Sequence, residues 1–392
     1  MALTSTTTDV AVIGLGAMGA ATLYHLACQG VPTIGIDRFA PPHDQGSSHG
    51  ETRITRQAVG EGGVYAPLVL RSHQIWRALE AATGEMLLQA CGGLIAGPTR
   101  QNSSHHGKAD FLRRTVAVAE AFGIPHRVLD RAAMAVEFPQ FIGLAEDDMG
   151  YFEPGAGFLR PERCIAALLA EATRAGAICR TGTTVQTIAQ DSDRVRLTLS
   201  DGTLTCRHVV VAAGAWAAPL LGAPFDRLLR VTRQVLHWFV AEDPTAWAPE
   251  SCPVFIRMYG AGDEDYFYGF PALDGASVKV ASEQYADTTT ADSALRTVAP
   301  GEAAAMHRTH IAGRLRGVSA RAAKSHACLY TNTPDADFLI DTHPAMNRVT
   351  VISACSGHGF KHAAAIGEAV AATIATGRSD LDLSPFRLRR FA

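Results

Sequence analysis

The sequence predicts an α/β fold (α+β overall) in two domains, one built on a parallel sheet and one on antiparallel strands. Three observations lead to this prediction. The 392 residues exceed the size at which a single hydrophobic core usually divides. A short apolar run, a glycine turn and a helical segment open the chain, as in a parallel β-α-β unit. Residues 225–321 are instead rich in aromatic and β-branched residues, which favour antiparallel strands.

The opening segment has the order strand, turn, helix, strand. Residues 10–13 are continuously apolar, as in a strand buried on both faces, and residues 18–29 follow as a helix. A second apolar run at 31–36 predicts the next strand. This order predicts a Rossmann-type dinucleotide-binding domain.

Three glycines fill the turn in the spacing GxGxxG, namely Gly14, Gly16 and Gly19. They suit a tight turn, the close approach of a pyrophosphate and the contact between helix and strand, respectively. Asp37 ends the second strand, 18 residues after Gly19, where it can accept hydrogen bonds from ribose hydroxyls. The motif predicts an adenine dinucleotide but does not separate FAD from NAD.

The remaining elements make the first domain discontinuous. A helix is predicted at 162–176, strands at 183–187, 194–200, 209–213 and 349–354, and a helix at 363–376. We therefore assign residues 1–90, 150–224 and 326–392 to the dinucleotide-binding domain. Residues 91–149 and 225–325 form the predicted substrate-binding domain with its antiparallel sheet.

Composition excludes several classes of partner. The 35 basic and 38 acidic residues give a net charge of −3 without a long run of Lys or Arg, so we expect no nucleic-acid or membrane partner. The eight cysteines contain no CxxC pair, which favours a reducing compartment. The first nine residues lack the regions of a signal peptide, and we expect a cytoplasmic protein.

Four segments, spread in order over nearly the whole chain, carry a family resemblance. They are the glycine motif with Asp37, PPHDQGSSHGETRITR at 41–56, CLYTNTPD at 328–335 and SGHGFK at 356–361. The first is shared by many folds, whereas the other three are much more specific. Together they resemble the monomeric sarcosine oxidase and N-methyltryptophan oxidase family of FAD-dependent amine oxidases.

The resemblance implies an enzyme that oxidises a secondary amino acid, N-methylated or cyclic, by hydride transfer to FAD. The resulting imine would hydrolyse, releasing formaldehyde from an N-methyl group, and O2 would be reduced to hydrogen peroxide. The resemblance also implies a monomer whose partners are a small amine and O2. The cofactor supplies the redox chemistry, and the protein positions and polarises the substrate.

The glycine motif and the resemblance together predict the cofactor contacts. Cys328 corresponds to the cysteine that is joined through sulfur to the flavin in this family, so covalent FAD is expected. The other predicted contacts are Gly14, Gly16, Ala17, Met18, Gly19, Asp37, Arg38, Ser47, Thr52, Val185, Ala213, Gly214, Trp216, Gly357, Gly359, Phe360 and Lys361.

The resemblance also implies roles in catalysis and substrate binding. Arg56 and Lys361 correspond to the pair that holds the substrate carboxylate, which needs fixed cations in an apolar pocket. Lys279 corresponds to the lysine that activates oxygen, because a cation stabilises the negative charge that develops on O2. The other candidates are Arg53, His49 and Tyr268 as catalytic residues, and Gly357, Met258 and Glu283 as substrate contacts.

Glu283 departs from the family pattern, because the sarcosine-oxidising members commonly carry histidine there. An inward acid would favour a cationic amine or a substrate with an extra donor, so the substrate stays open and includes pipecolate- or proline-type amines. No metal site is expected, since the histidines lack ligand spacing and His105-His106 is interpreted as part of a polar loop.

Two other functions stay open at this point. An NAD-dependent dehydrogenase is supported only by the first 40 residues, and Cys328 and the SGHGFK turn argue against it. A flavin-bearing subunit without turnover is the second, because Glu283 leaves room for lost activity.

Overall fold

The computed structural model describes residues 5–99, 104–262 and 264–392. Its helices are α1 Ala17–Cys28, α2 Ala66–Thr83, α3 Phe111–Ala121, α4 Arg131–Glu137, α5 Pro161–Arg174, α6 Ala217–Leu221, α7 Phe225–Leu228, α8 Pro300–Met306 and α9 Ala363–Thr376. Its strands are β1 Ser5–Ile13, β2 Thr33–Ile36, β3 Arg53–Thr55, β4 Leu88–Ala90, β5 Gly93–Pro98, β6 Ser104–His105, β7 Lys108–Ala109, β8 Arg127–Asp130, β9 Asp148–Glu153, β10 Gly157–Leu159, β11 Ile178–Arg180, β12 Val185–Asp191, β13 Arg194–Leu199, β14 Gly202–Val211, β15 Arg230–Ala241, β16 Val254–Met258, β17 Tyr266–Phe270, β18 Ser277–Ala281, β19 Thr288–Thr289, β20 Val318–Asn332, β21 Leu339–His343 and β22 Met346–Ser353.

One sheet contains the predicted Rossmann-type unit. Within the described ranges it has eight strands in the order β11-β2-β1-β14-β13-β12, with β22 beside β14 and β21 beside β22. Strand β1 pairs in parallel with β2 and β14, and β14 pairs in parallel with β22. Val10 and Val12 enter the core on one face, whereas Ala11 and Ile13 enter the core on the other. The continuous apolar run is therefore a strand buried on both faces, as predicted.

Helix α1 starts at the end of β1 and packs against α5 and α9. Small residues make these contacts close. A Cβ on Gly19 would lie 1.7 Å from the Gly14 carbonyl oxygen, and one on Gly367 of α9 would lie 2.5 Å from Ala21 Cβ. The third glycine of the motif thus lets helix and turn touch, which is the packing role expected from its spacing.

The second sheet confirms the predicted antiparallel layer. In the described part of the chain it has nine strands in the order β19-β15-β18-β17-β16-β5-β9-β8, with β20 paired to β15. Its pairs are antiparallel except for β5 with β16. Strand β20 belongs to this sheet and carries Cys328 and Tyr330 near its end. It runs past residue 326, where the last segment of the dinucleotide-binding domain is predicted to begin. The domain bounds stay a prediction.

Helix ends agree with the sequence expectations to within two residues, and α9 spans 363–376 as predicted. The strand expected at 183–187 is shifted to β12, which pairs antiparallel with β13. None of the helices in the described ranges has the length and hydropathy that crossing a bilayer requires.

Candidate active site with two adjoining cavities

A cavity of about 380 Å³ opens at the glycine turn and lies along the ends of β1, β2 and β22; we call it the glycine-loop cavity. Most of the predicted cofactor contacts line it. These are Gly14, Gly16, Ala17, Met18, Asp37, Arg38, Ser47, Val185, Ala213, Gly214, Trp216, Gly357, Gly359 and Phe360. Its size is in the usual range of ligand and cofactor sites.

The glycine turn is held by Asp37. Its carboxylate accepts hydrogen bonds from Leu15 N and Phe39 N, both at 2.8 Å. Gly14 has φ +87°, and a Cβ there would lie 2.5 Å from the Ala212 carbonyl oxygen. The turn therefore needs glycine for both its backbone conformation and its space. Asp37 also lines the cavity, and its predicted contact with ribose stays a prediction.

The SGHGFK turn links the glycine-loop cavity to a second one. It connects β22 to α9, with positive φ at Ser356 (+40°) and Gly357 (+82°). A Cβ on Gly359 would lie 1.7 Å from the Ala354 carbonyl oxygen, so this close turn also needs glycine. Gly357 and Phe360 line both cavities.

The second cavity, which we call the inner cavity, has a volume of about 60 Å³. Charged, histidine and tyrosine side chains dominate its wall, and most of them are buried. They include Arg53, Arg56, Glu61, His105, His106, Tyr268, Lys279, Glu283, Tyr330, His358 and Lys361. Such a concentration of ionisable groups with perturbed pKa values is typical of a catalytic site.

Arg56 and Lys361 come together in the inner cavity, where both face Glu61. Arg56 Nη2 lies 3.1 Å from Glu61 Oε2, and Lys361 Nζ lies 3.7 Å from Glu61 Oε1. Burial opposes ionisation of Glu61, but Arg56 and Lys361 hold its pKa well below the usual range. Burial, opposed by Glu61, lowers the pKa of Lys361 to about 8. Two cations and one buried anion thus form the anion-binding part of the cavity.

Glu283 points into the inner cavity, and four donors surround its carboxylate. The hydroxyl groups of Tyr266, Tyr285 and Tyr330 donate to it at 2.5, 2.7 and 2.9 Å. His106 Nε2 lies 3.1 Å from Glu283 Oε2. Burial alone would raise the pKa of Glu283, but the histidine charge and these hydrogen bonds lower it below the usual value. Glu283 is therefore ionised, and donors within the protein already surround its carboxylate.

His106 bridges Glu283 and Glu61, because its Nδ1 lies 3.1 Å from Glu61 Oε1. Burial lowers the pKa of His106, but the two carboxylates outweigh this and raise it. His105 beside it is also buried, with 3% of its surface exposed. The interpretation of His105-His106 as part of a polar loop is wrong, because the β6–β7 hairpin turns both rings into the cavity.

Two groups of possible metal ligands share His106. Glu61, His106 and His358 form one, and His105, His106 and Glu283 form the other, with ligand atoms within 4.8 Å of one another. The histidine spacing in the sequence did not indicate either group. Both carboxylates already pair with cations or hydroxyl groups, so a divalent metal would have to compete with these partners.

Lys279 lies in the wall of the inner cavity on β18. Its Nζ donates to Gly50 O at 2.6 Å and to Thr52 O and Oγ1 at 3.0 Å. Phe270 presents its ring face to the ammonium at 4.4 Å. Burial and the charge of Arg53 hold the pKa of Lys279 well below its usual value. The hydrogen bonds therefore hold the Lys279 ammonium in place, and its protonation state depends on burial and on the neighbouring charges.

Cys328 Sγ lies 3.6 Å from Arg53 Nη2 and 3.8 Å from Gly46 O, and both of these residues line the glycine-loop cavity. Burial raises the pKa of the thiol, but His49, Arg53 and Lys279 outweigh it and bring the value to about 7. Thiolate is the nucleophilic form of cysteine, so this residue is activated. Cys355 also lines the cavity, but burial raises its pKa.

The other predicted residues divide between the cavities and the core. Tyr268 lines the inner cavity, and its hydroxyl lies 3.4 Å from that of Tyr330. Thr52 lines the inner cavity rather than the glycine-loop cavity. His49 is buried beside Cys328. Met258 packs in the core and does not line the inner cavity, where Ile256 of the same strand contributes instead.

Comparison with known proteins shows which family this chain belongs to. The family model of FAD dependent oxidoreductases (DAO) matches residues 9–373. Monomeric sarcosine oxidase of Streptomyces avermitilis is 36% identical, covering 99% of both chains. The chain belongs to this oxidoreductase family. N-methyl-L-tryptophan oxidase of Yersinia pestis is 35% identical, covering 98% of this chain and 99% of that protein. The solved open form of NikD, an unusual amino acid oxidase of nikkomycin biosynthesis, has a TM-score of 0.82 at 22% identity, with 97% of both chains covered.

As an FAD-dependent oxidoreductase, the protein needs a site that fits a dinucleotide. Gly14 and Gly19 leave no room for a side chain, and the backbone of the turn borders the cavity. The N-terminus of α1 provides backbone N–H groups for phosphates. Gly14, Gly16 and the helix start would hold the pyrophosphate, and Arg53 and the SGHGFK turn would adjoin the flavin. The residues present therefore fit FAD.

Several site residues were missed by sequence reasoning. They are Glu61, His105, His106, Tyr266 and Tyr285 around the inner cavity, and Ser48, Thr331 and Cys355 around the glycine-loop cavity. Thr331 lies in the CLYTNTPD segment, so the resemblance pointed to its neighbourhood. Ser48 lies in the segment 41–56 and Cys355 directly precedes SGHGFK, so their neighbourhoods were indicated as well. The residues around the inner cavity have no signal in their spacing, because folding alone brings their separate segments together.

Proposed function

We propose that this protein is an FAD-dependent oxidase of secondary amino acids, with N-methyl or cyclic amino acids as substrates. The main support is the pair Arg56 and Lys361, which converge in a buried cavity that adjoins the cofactor site. The names of the relatives, sarcosine oxidase and N-methyl-L-tryptophan oxidase, support an N-methyl amino acid. The imine product would hydrolyse, with formaldehyde released from an N-methyl substrate.

The protein's first task is to bind the substrate carboxylate. Arg56 Nε and Nη1 are buried and have no hydrogen-bond partner among the described residues, so donors are left for an incoming carboxylate. Lys361 supplies a second cation. The substrate carboxylate competes with Glu61 for both, because Glu61 holds the same two cations in its absence. Binding an anion between fixed charges orients the rest of the substrate.

Bound FAD would supply the redox chemistry, namely the two-electron oxidation of the carbon next to nitrogen with O2 as the final acceptor, reduced to hydrogen peroxide. Lys279 is proposed to lie where it stabilises the negative charge developing on O2. Its three hydrogen bonds to residues 50–52 fix the ammonium before the reaction, as electrostatic preorganisation requires.

Cys328 is proposed to carry the flavin through a thioether. Its lowered pKa and its contact with Arg53 at the cavity wall support this assignment. We also propose that the protein acts as a cytoplasmic monomer. The name of the monomeric sarcosine oxidases supports a monomer, and eight cysteines without a CxxC pair support a reducing compartment.

Two measurements test the proposal. Acid precipitation of purified protein should leave the yellow chromophore in the pellet, and Cys328→Ser should release it, whereas the control Cys355→Ser should retain it. Oxygen consumption with sarcosine, N-methyl-L-tryptophan and pipecolate should then identify an oxidised amine. A protein that refuses FAD would overturn the cofactor assignment, and a flavoprotein that oxidises no secondary amine would favour the subunit without turnover.

A further inference from the structure

The inner cavity is narrow in the conformation described. Its volume of about 60 Å³ is well below the roughly 300–1,000 Å³ of usual ligand pockets. An amino acid with a large side chain needs more room than this. If the proposed function holds, part of the wall has to move when such a substrate binds.

Tyr285 is the side chain that links this wall to solvent. It is 38% exposed, yet its hydroxyl reaches inward and donates to buried Glu283 at 2.7 Å. A Cβ on Gly357 would lie 3.1 Å from the Tyr285 hydroxyl and 3.1 Å from Glu283 Oε1. Gly357 lines both cavities, so the Tyr285 hydroxyl lies beside a residue that the two cavities share.

The backbone beside Tyr285 is anchored, so its side chain can move alone. Gln284 N donates to Gln234 Oε1 at 3.0 Å, and Gln284 O accepts from Gln234 Nε2 at 2.6 Å. Gln284 Nε2 also donates to Arg233 O at 2.8 Å. A side-chain rotation at Tyr285 breaks its hydrogen bond to Glu283 without displacing this backbone. Glu283 keeps its donors Tyr266 and Tyr330 when this happens.

We propose that Tyr285 gates the inner cavity and determines the size of substrate that it accepts. With the hydroxyl on Glu283, the ring closes the space over Gly357. With the ring turned to solvent, the cavity extends outward at this point and accommodates the side chain of a larger N-methyl amino acid. The charged residues that hold the substrate carboxylate stay in place in both states. This inference rests on the proposed function and adds its size selectivity.

The test uses flavin-loaded protein and two carboxylates that cannot be oxidised as amines, acetate and indole-3-acetate. Binding is followed by the change in flavin absorbance, with rates from stopped flow. Tyr285→Ala removes the ring and should improve the Kd of indole-3-acetate relative to that of acetate by about tenfold or more. Tyr285→Phe keeps the ring but loses the hydrogen bond, so association of both should accelerate about tenfold, the effect of one hydrogen bond to a charged group.

Tyr259→Ala and Tyr259→Phe are the matched controls. Tyr259 is a half-buried tyrosine whose hydroxyl hydrogen bonds to His310, and neither residue lines a cavity of the site, so the Kd ratio and the association rates should stay at the wild-type values. An unchanged Kd ratio in flavin-replete Tyr285→Ala would overturn the proposal, and so would an unchanged association rate in Tyr285→Phe. Failure of wild type to bind either carboxylate would also count against it.

The two proposals can fail separately. If wild-type protein oxidises none of the amines, the proposed function is wrong, but the Kd ratio still decides whether Tyr285 selects by size. If amines are oxidised and the ratio does not move, only the gate is wrong. In an active enzyme, the ratio of kcat/KM for N-methyl-L-tryptophan over sarcosine should follow the same order among the variants.

Discussion

The lowered pKa of Cys328 makes covalent flavin attachment dependent on pH. At a pKa of about 7, about half of the thiol is ionised at pH 7, whereas at the ordinary value of 9.0 only about 1% is ionised. His49→Ala removes one of the groups that lower the pKa, while Arg53 and Lys279 remain. A rise of about one unit would lower the ionised fraction at pH 7 from about a half to about a tenth, which would slow attachment about fivefold. Above pH 9.5 the thiol is ionised in both proteins, and the rates should converge.

The assay starts from apo-protein and FAD. Samples taken over time are precipitated with acid, and the flavin retained in the pellet gives the rate of attachment. Wild type should show a rate that rises with pH, with its midpoint near 7, and levels off above about 8, since the deprotonated thiol is the reactive form. A flat pH profile in wild type, or equal slowing of His49→Ala at every pH, would refute the reasoning. Cys355→Ser should behave as wild type.

Three further predictions concern the inner cavity. Glu61→Gln leaves Arg56 and Lys361 without their buried anion and should lower the free energy of unfolding by about 3–5 kcal/mol. Acetate can replace this anion, so it should raise the melting temperature of the variant more than that of wild type. Equal shifts of the two melting temperatures would contradict this. Because Lys361 has a pKa of about 8 and binds anions only when protonated, acetate should bind more weakly as pH rises through 8, and Lys361→Met should remove this dependence. Lys279→Met should slow flavin reoxidation by O2 far more than flavin reduction by the amine, as rapid-mixing absorbance would show; equal slowing would count against its role.

The predictable part of the site lies in contiguous segments. The glycine turn, Asp37 and the SGHGFK turn each carry their geometry in local sequence, because a tight turn or a close approach depends on neighbouring residues. The resemblance extended this to Arg56, Lys279 and Lys361, which the structure brings to one cavity. Their roles in binding and oxygen activation stay predictions.

The contacts that sequence reasoning could not predict lie where distant segments of the chain meet. His105 and His106 have polar neighbours in the sequence and were interpreted as part of a loop, yet a hairpin buries both. Glu283 is expected from the sequence to favour a cationic amine or a substrate with an extra donor, and in the structure His106 and three tyrosine hydroxyls surround its carboxylate, so its effect on substrate choice stays a prediction. Neither outcome can be derived from one segment, because the partners come from different strands and loops.

The sequence alone determined the fold class, the dinucleotide site and the family, because hydrophobic period, glycine spacing and local motifs are properties of short segments. Tertiary structure decided the charge state and the accessible volume of the inner cavity. Both depend on which side chains meet: Glu61 with Arg56 and Lys361, and Tyr285 with Glu283. In a buried site the free energy of a charge is determined by its nearest partners and its distance from water, and only the folded chain defines these.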